Sequence, residues 1–449
     1  MEKKKLHIKT WGCQMNVYDS QKMADVLAPM GYIASDVAAE ADMVIYNTCH
    51  IREKAAEKLY SDIGRLKKSL RKAGNHRKPM VAVAGCVAQA EGKEIISRTN
   101  QLVDMVIGPQ SYHLLPEIVA DFEKKSGIER RVYTDFQPEA KFDYLPEEGE
   151  NPGAAAFLSI QEGCDKFCSF CVVPYTRGAE FSRPASDIMR EARRLVGKGV
   201  KELTLLGQNV NAWRAEGLNG QEWGFARLLQ EVANIDGLLR LRYTTSHPKD
   251  MDDELIAAHG DIPQLMPFLH LPIQSGADSV LAAMNRKHTA DDYRRTIEKL
   301  RAVRPDISLS SDFIVGFPGE TDQDFADTVR LIEDVVFAQA YSFKYSRRPG
   351  TPGAVLPNQL SEDIKSARLQ ILQEVINRQQ MGFNQHWVGK KLEILAEKME
   401  QNGAMTRLSG RSPYMQSTHF IASPELFGKV LSVKIIKANP NSLTGEYEQ

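Results

Sequence analysis

Three cysteines fall in the run Gly163-Cys164-Asp165-Lys166-Phe167-Cys168-Ser169-Phe170-Cys171, a C-x3-C-x2-C spacing. Thiolates are the ligands that hold iron-sulfur clusters, and a cubane has four irons, so three thiolates leave one iron open to another ligand. An open iron makes such a cluster a reagent. Structural zinc is the alternative, because C-x3-C also falls within zinc-ligand spacing. Zinc would need a fourth ligand, and the next histidine downstream is His247.

The other three cysteines, Cys13, Cys49 and Cys86, each follow a short apolar segment. Strands are expected at 6–11, 43–47, 80–84 and 103–107, separated by amphipathic helices such as 52–72, where Ala56, Leu59, Ile63, Leu66 and Leu70 recur at helical spacing. Met43-Val44-Ile45-Tyr46-Asn47 is apolar throughout, as parallel strands covered on both faces tend to be. The pattern predicts a doubly wound parallel sheet over residues 1–140, and the three thiols should converge on its C-terminal edge, where open α/β sheets bind ligands. A second cluster fits that convergence. Any one of these cysteines taken alone would read as a buried small hydrophobe. Their neighbours, Gly12 and Gln14, Thr48 and His50, Gly85 and Val87, are mostly small or polar.

An acidic stretch with Pro and Gly, about 128–152, reads as a linker. Strands are then expected at 157–160, 202–206, 239–243, 268–271, 308–315 and 340–345, alternating with helices, which makes residues 150–384 a partial (β/α)6 barrel of TIM-like type. Polar motifs follow these strands, and their C-terminal ends should form the site. A helix over 362–384 connects to residues 385–449, whose alternating segments predict a small antiparallel β domain.

The chain has 449 residues, 42% of them hydrophobic, and a formal net charge of −1, so a nucleic-acid surface would have to come from local patches. No apolar stretch is long enough to span a bilayer and no signal peptide is visible, so the cytoplasm is the expected compartment. Six cysteines there read as ligands rather than disulfides.

The loop QEGCDKFCSFCVVPYTRG from Gln161 resembles that of the radical S-adenosylmethionine (SAM) methylthiotransferases. So do WGCQMNVYDS from Trp11, NTCHIREKA from Asn47, LLGQNVNAW from Leu205, YTTSHP from Tyr243, HLPIQSGAD from His270, SSDFIVGFPGET from Ser310 and RRPGTPGA from Arg347. Within that family the likeness is to the MiaB type, the tRNA-2-methylthio-N6-dimethylallyladenosine synthases. The resemblance implies two 4Fe-4S clusters, one on Cys164, Cys168 and Cys171 that binds SAM, and an auxiliary one on Cys13, Cys49 and Cys86 that supplies sulfur. It also implies a radical SAM barrel, a TRAM-like β-barrel at the C-terminus, a tRNA containing N6-isopentenyladenosine as substrate, and an external electron donor of flavodoxin or ferredoxin type. The chain is expected to act as a monomer.

Candidates for holding SAM are Gln208, Ser246, Gln274 and Asp312 through hydrogen bonds, and Phe170 by packing on the adenine. Candidates for RNA contact are Lys390, Lys391, Arg407, Arg411, Lys429, Lys434 and Lys437, with Tyr414 and Phe420 for stacking, and the Arg347-Arg348 pair in a Pro- and Gly-rich loop at the end of the expected partial barrel. Two rival functions remain at this stage. One is a sister methylthiotransferase acting on an aspartate of a small-subunit ribosomal protein; those relatives typically carry Pro-Lys after the first cysteine, and the threonylcarbamoyladenosine enzymes Lys-Val, where this chain has Gln14-Met15. The other is a non-catalytic RNA-binding protein with structural zinc.

Overall fold

A computed structural model describes residues 3–50, 54–72, 78–124, 131–136, 141–142, 144, 153–402 and 405–448. The linker expected at 128–152 therefore lies mostly outside the described residues. The chain forms two compact units. Met1–Glu150 is joined in the first by Glu162–Asp165 and Cys171–Phe181, and the second takes Asn151–Gln161, Lys166–Phe170 and Ser182–Gln449.

The first unit is built on a six-stranded, all-parallel sheet, in the order Tyr32–Ala34, Lys4–Trp11, Met43–Thr48, Met80–Ala84, Met105–Ile107, Arg131–Tyr133. Alternation along the strand Met43–Thr48 feeds two cores. Met43 and Ile45 pack with Met23, Leu27 and Leu115 on one face. Val44 and Tyr46 pack with Leu59, Ile63 and Leu66 of the helix Lys54–Lys72 on the other. Each such side chain, fully buried, contributes about 1.5–3 kcal/mol. The two outermost strands, three residues each, were not foreseen. Segments that short carry no readable periodicity, and the sheet itself recruits them.

In the second unit, Ala155–Ser159, Glu202–Leu206 and Arg240–Thr244 form one parallel sheet, and Phe268–His270, Ser308–Val315 and Gln339–Lys344 form another. Both sheets share one hydrophobic core, and a backbone bridge from Leu241 to Leu265 leads from the first towards the second. These are the six strands of the expected partial barrel. Helices Ala290–Val303 and Asp322–Val335 each start at a capping box, Thr289 with Asp292 and Thr321 with Asp324.

The C-terminal strands close into a five-stranded barrel, consistent with a TRAM-like domain. It is not wholly antiparallel: Ser417–Ile421 runs parallel to Ser442–Tyr447. The barrel is tied to the preceding strands by two buried arginines. Arg240 donates to the carbonyls of Arg411 and Glu393 at 2.8 and 2.7 Å, and Arg242 to those of Pro413 and Ser412 at 2.8 Å each. No described helix is long and apolar enough to cross a membrane.

Candidate functional site

All six cysteines are free thiols. Cys13, Cys49 and Cys86 follow three adjacent strands whose register pairs Trp11 with Thr48 and Asn47 with Ala84, so the three residues leave the same edge of the sheet side by side. Glycines make their approach feasible. Gly12 has φ +146°, and a Cβ there would lie 2.5 Å from Cys49 Cβ. Gly85, φ +88°, presses against Asn47 and the Thr48 carbonyl. Asn16 gathers these turns. Its Oδ1 accepts from the Cys13 thiol at 3.2 Å and its Nδ2 donates to Asn47 Oδ1 at 3.1 Å. A hydrogen bond from the Cys49 thiol holds the Cys13 pKa down at about 6, assisted by the charge of Arg177 and opposed by desolvation. Burial pushes the Cys86 thiol up, and Arg177, hydrogen-bonded to it, pulls the other way.

Arg177 belongs to a buried charge network that the sequence reading passed over. Its guanidinium donates to Asp19 at 2.6 Å and lies 3.5 Å from Glu162, which also pairs with Lys141 and accepts from Gln110 at 2.7 Å. Lys141 sits over the Tyr112 ring, 4.6 Å from its centroid. Arg177 lies on the short helix Val173–Arg177, directly after the second cysteine group, and Glu162 lies just before that group. Both stood inside the quoted motif, but nothing local distinguishes a buried ion pair from a solvated one.

The loop carrying Cys164, Cys168 and Cys171 contributes to both units. In the first, Cys164 N–H donates to Gly178 carbonyl at 3.3 Å, and Val173 N–H reaches Cys171 Sγ at 3.5 Å. Gly163, φ +73°, cannot carry a side chain, because its Cβ would overlap the Ala179 carbonyl. In the second, Ser169 N–H donates to Met284 carbonyl at 3.0 Å, and Arg286 Nη1 donates to Cys168 Sγ at 3.5 Å.

The SAM candidates in the second unit occupy or follow the strands of the partial barrel. Gln208, after Glu202–Leu206, is fixed by its backbone N–H to Gln161 Oε1 at 2.8 Å. Ser246, after Arg240–Thr244, is buried, and its Oγ has no hydrogen-bond partner. Gln274 adopts φ +82° and exchanges backbone hydrogen bonds with Asp312 and Ile314 at 3.0 and 2.9 Å. Asp312, on Ser308–Val315, faces His270 at 3.7 Å. Phe170 packs on the cluster of Ala277, Val280, Met284, Phe317 and Tyr345. Ser246 Oγ, His247 Nε2 and His288 Nε2 are all buried without partners, and such a group of orphaned polar atoms fits a polar ligand. Burial and the Arg286 charge keep both histidines neutral, pulling His288 down to about 4 and His247 further.

Among the described residues no three His, Cys, Asp or Glu side chains surround a single ion-sized point. In a cubane each thiolate takes a different iron, so the ligand set need not converge on one atom. The Cys donors, the glycine cradles and the orphaned polar atoms are compatible with cluster and SAM binding.

Among the RNA candidates, Phe420 is 2% exposed and belongs to the barrel core, so it has no face for stacking. Tyr414 is stacked on Trp387 at 4.8 Å. Lys391 and Lys434 pair with Glu448, Lys390 contacts His386, and Arg411 donates to the Met415 carbonyl at 3.2 Å. Arg407, Lys429 and Lys437 are exposed, as is Arg347, whereas Arg348 is half-buried.

Residues 5–108 match Uncharacterized protein family UPF0004, the MiaB-type N-terminal domain, and residues 158–332 match the radical SAM superfamily. Among solved structures the chain is similar to a radical S-adenosylmethionine methyltransferase, TsrM from Kitasatospora setae, with cobalamin and a 4Fe-4S cluster bound. That likeness has 14% identity and TM-score 0.56, and covers 79% of this chain and 77% of that one. It is also similar to the cobalamin-dependent S-adenosylmethionine radical enzyme OxsB with aqua-cobalamin bound, at 11% identity and TM-score 0.52, over 84% of this chain and 56% of that one. At these identities the likeness is one of fold. The chain thus carries a radical SAM domain preceded by a UPF0004 domain, a pairing that supports a radical SAM methylthiotransferase family.

Proposed function

We propose that this protein converts N6-isopentenyladenosine in tRNA to its 2-methylthio derivative. One observation carries the reading: three thiols leave adjacent parallel strands at one sheet edge in a chain that also bears the C-x3-C-x2-C loop. The Gln14-Met15 pair after the first cysteine favours the nucleoside substrate over a ribosomal aspartate.

Cys164, Cys168 and Cys171 would hold the SAM-binding cluster, and Cys13, Cys49 and Cys86 the auxiliary one. When bound, the first would supply the electron that cleaves SAM to a radical able to take the inert hydrogen from adenine C2, and the second would supply the sulfur, its methyl group coming from a second SAM. The protein's part is placement. Gly12, Gly85 and Gly163 bring the backbone close where a side chain would collide. Ser246, His247 and His288 offer buried hydrogen-bonding atoms for SAM, with Gln208, Gln274 and Asp312 as further polar candidates and Phe170 as the ring to pack on its adenine. The exposed Arg407, Lys429 and Lys437 are the barrel's phosphate contacts, and reducing equivalents come from a flavodoxin- or ferredoxin-type partner.

Reconstituted Cys13→Ala protein should cleave SAM yet transfer no sulfur; full methylthiolated product would remove the auxiliary role. Nucleosides from cells lacking the protein should retain isopentenyladenosine without methylthio. An unchanged profile, or loss of modification on a ribosomal protein, would overturn the substrate assignment.

A further inference from the structure

Arg286, 5% exposed, is a buried cation without a carboxylate partner among the described residues. Its contacts are Cys168 Sγ at 3.5 Å from Nη1 and the Pro272 carbonyl from Nη2, while Nε is buried without a partner. A guanidinium removed from water is strongly unfavourable unless an anion is close. The neighbouring His247 and His288 are held neutral and supply none.

The segment around Arg286 is built to hold it against the cysteine. Asn285, φ +60°, and Lys287, φ +61°, adopt left-handed backbone on either side. Asn285 Nδ2 donates to the Phe167 carbonyl at 2.9 Å, Ser169 Oγ to the Ala283 carbonyl at 2.8 Å, and Ser169 N–H to Met284 carbonyl at 3.0 Å. Four successive residues, Ala283 to Arg286, thus grip the stretch Phe167 to Ser169. Left-handed backbone at non-glycine residues is unfavourable, and it persists where the surroundings over-determine it.

We infer that Arg286 is a positioning residue that presets Cys168 and supplies the fixed positive charge compensating the anionic cluster on the Cys164 trio, which raises that cluster's reduction potential. The inference rests on the reading of that trio as the SAM-binding cluster. A reduced cluster carries one more negative charge than the oxidised one, so a nearby cation in a low-dielectric site favours reduction.

The experiment compares wild type, Arg286→Met and Arg286→Lys, each in a Cys13→Ala background so that one cluster is observed. It uses iron analysis, redox titration followed by electron paramagnetic resonance, and SAM affinity. Absence of any cluster in the Cys13→Ala parent would sink the underlying reading rather than this inference. With a cluster present, Arg286→Met should have a lower midpoint potential than the parent, Arg286→Lys should lie between, and iron loss to a chelator should be about 10- to 100-fold faster in the Met variant. Equal potentials in all three would overturn the proposal, as would an unchanged potential with lost SAM affinity, which would make Arg286 a substrate ligand. If the Met variant assembles no cluster, Arg286→Lys and Arg286→Gln are compared, and equal rates of iron loss in those two would overturn it.

Discussion

Arg177 donates a 2.6 Å hydrogen bond to Asp19 across 158 residues of sequence, and both side chains are essentially excluded from solvent. Asp19 lies on the helix Gln14–Leu27 that begins beside Cys13, whereas Arg177 follows the C-x3-C-x2-C loop. The first compact unit is therefore completed by residues from beyond the linker. Removing one partner of a buried pair costs about 3–5 kcal/mol, because the remaining charge is stranded. Arg177→Met should destabilise the protein by that amount in a denaturant melt, and Arg177→Met with Asp19→Leu should recover part of the loss. A fragment ending at residue 150 lacks both Arg177 and Glu162, and should melt at lower denaturant than the same unit in the full chain; equal midpoints would show that the network contributes nothing to that unit.

Gly12 tests whether the first trio is a preformed site. Alanine there must shift the Cys49 Cβ and adopt φ near +146°, for a backbone cost of order 1–3 kcal/mol. Reconstituted Gly12→Ala should lose iron equivalent to one cluster while SAM cleavage persists. Wild-type iron content would show that the trio tolerates a wider separation than proposed here.

Strands such as Met43–Thr48 and Met80–Ala84 were legible because each is a largely apolar run that the sheet buries on both faces, whereas Lys4–Trp11, with Lys, His and Thr between its apolar residues, was legible from its place in the alternation of strands and helices. The C-x3-C-x2-C run was legible because residue identity and close spacing are local properties, and Cys13, Cys49 and Cys86 stood out by their shared place after three strands. Arg177, Asp19, Lys141 and Arg286 were opaque. Charged residues ordinarily sit in water, and only tertiary packing decides which of them is buried beside a thiol. Phe420 failed in the opposite sense, since alternation in a short strand cannot say which face is inward until the barrel closes.

Arg407, Lys429 and Lys437 are exposed basic residues of the barrel on which the RNA-binding proposal draws. Replacing any one with alanine should weaken tRNA binding similarly across sequences and reduce the slope of log affinity against log salt by about 1. Truncation after Asn384 should abolish the barrel's whole share of that slope while both clusters remain. Identical salt dependence in the truncated and full chains would assign RNA binding elsewhere, the Arg347-Arg348 loop being the next candidate.

Glu397 gives the barrel's docking a pH dependence with a definite sign. It sits at the irregularity in the strand Lys391–Asn402, with one carboxyl oxygen buried and unpartnered. Burial first, and then the charge of Glu202, raise its pKa to about 7, with Arg411, Arg242 and Arg240 only partly offsetting them. A carboxyl whose folded pKa exceeds its unfolded value favours the folded state while protonated. Its contribution is complete below about pH 4.5 and is lost as pH rises through about 7, at up to about 1.4 kcal/mol per pH unit between. Glu397→Gln keeps the neutral form at every pH, so the variant's stability relative to wild type should grow between pH 5 and 8. Denaturant midpoints measured across that range provide the check. Parallel curves for the two proteins would mean that Glu397 is ionised in the folded barrel, with Arg240 and Arg242 compensating it fully.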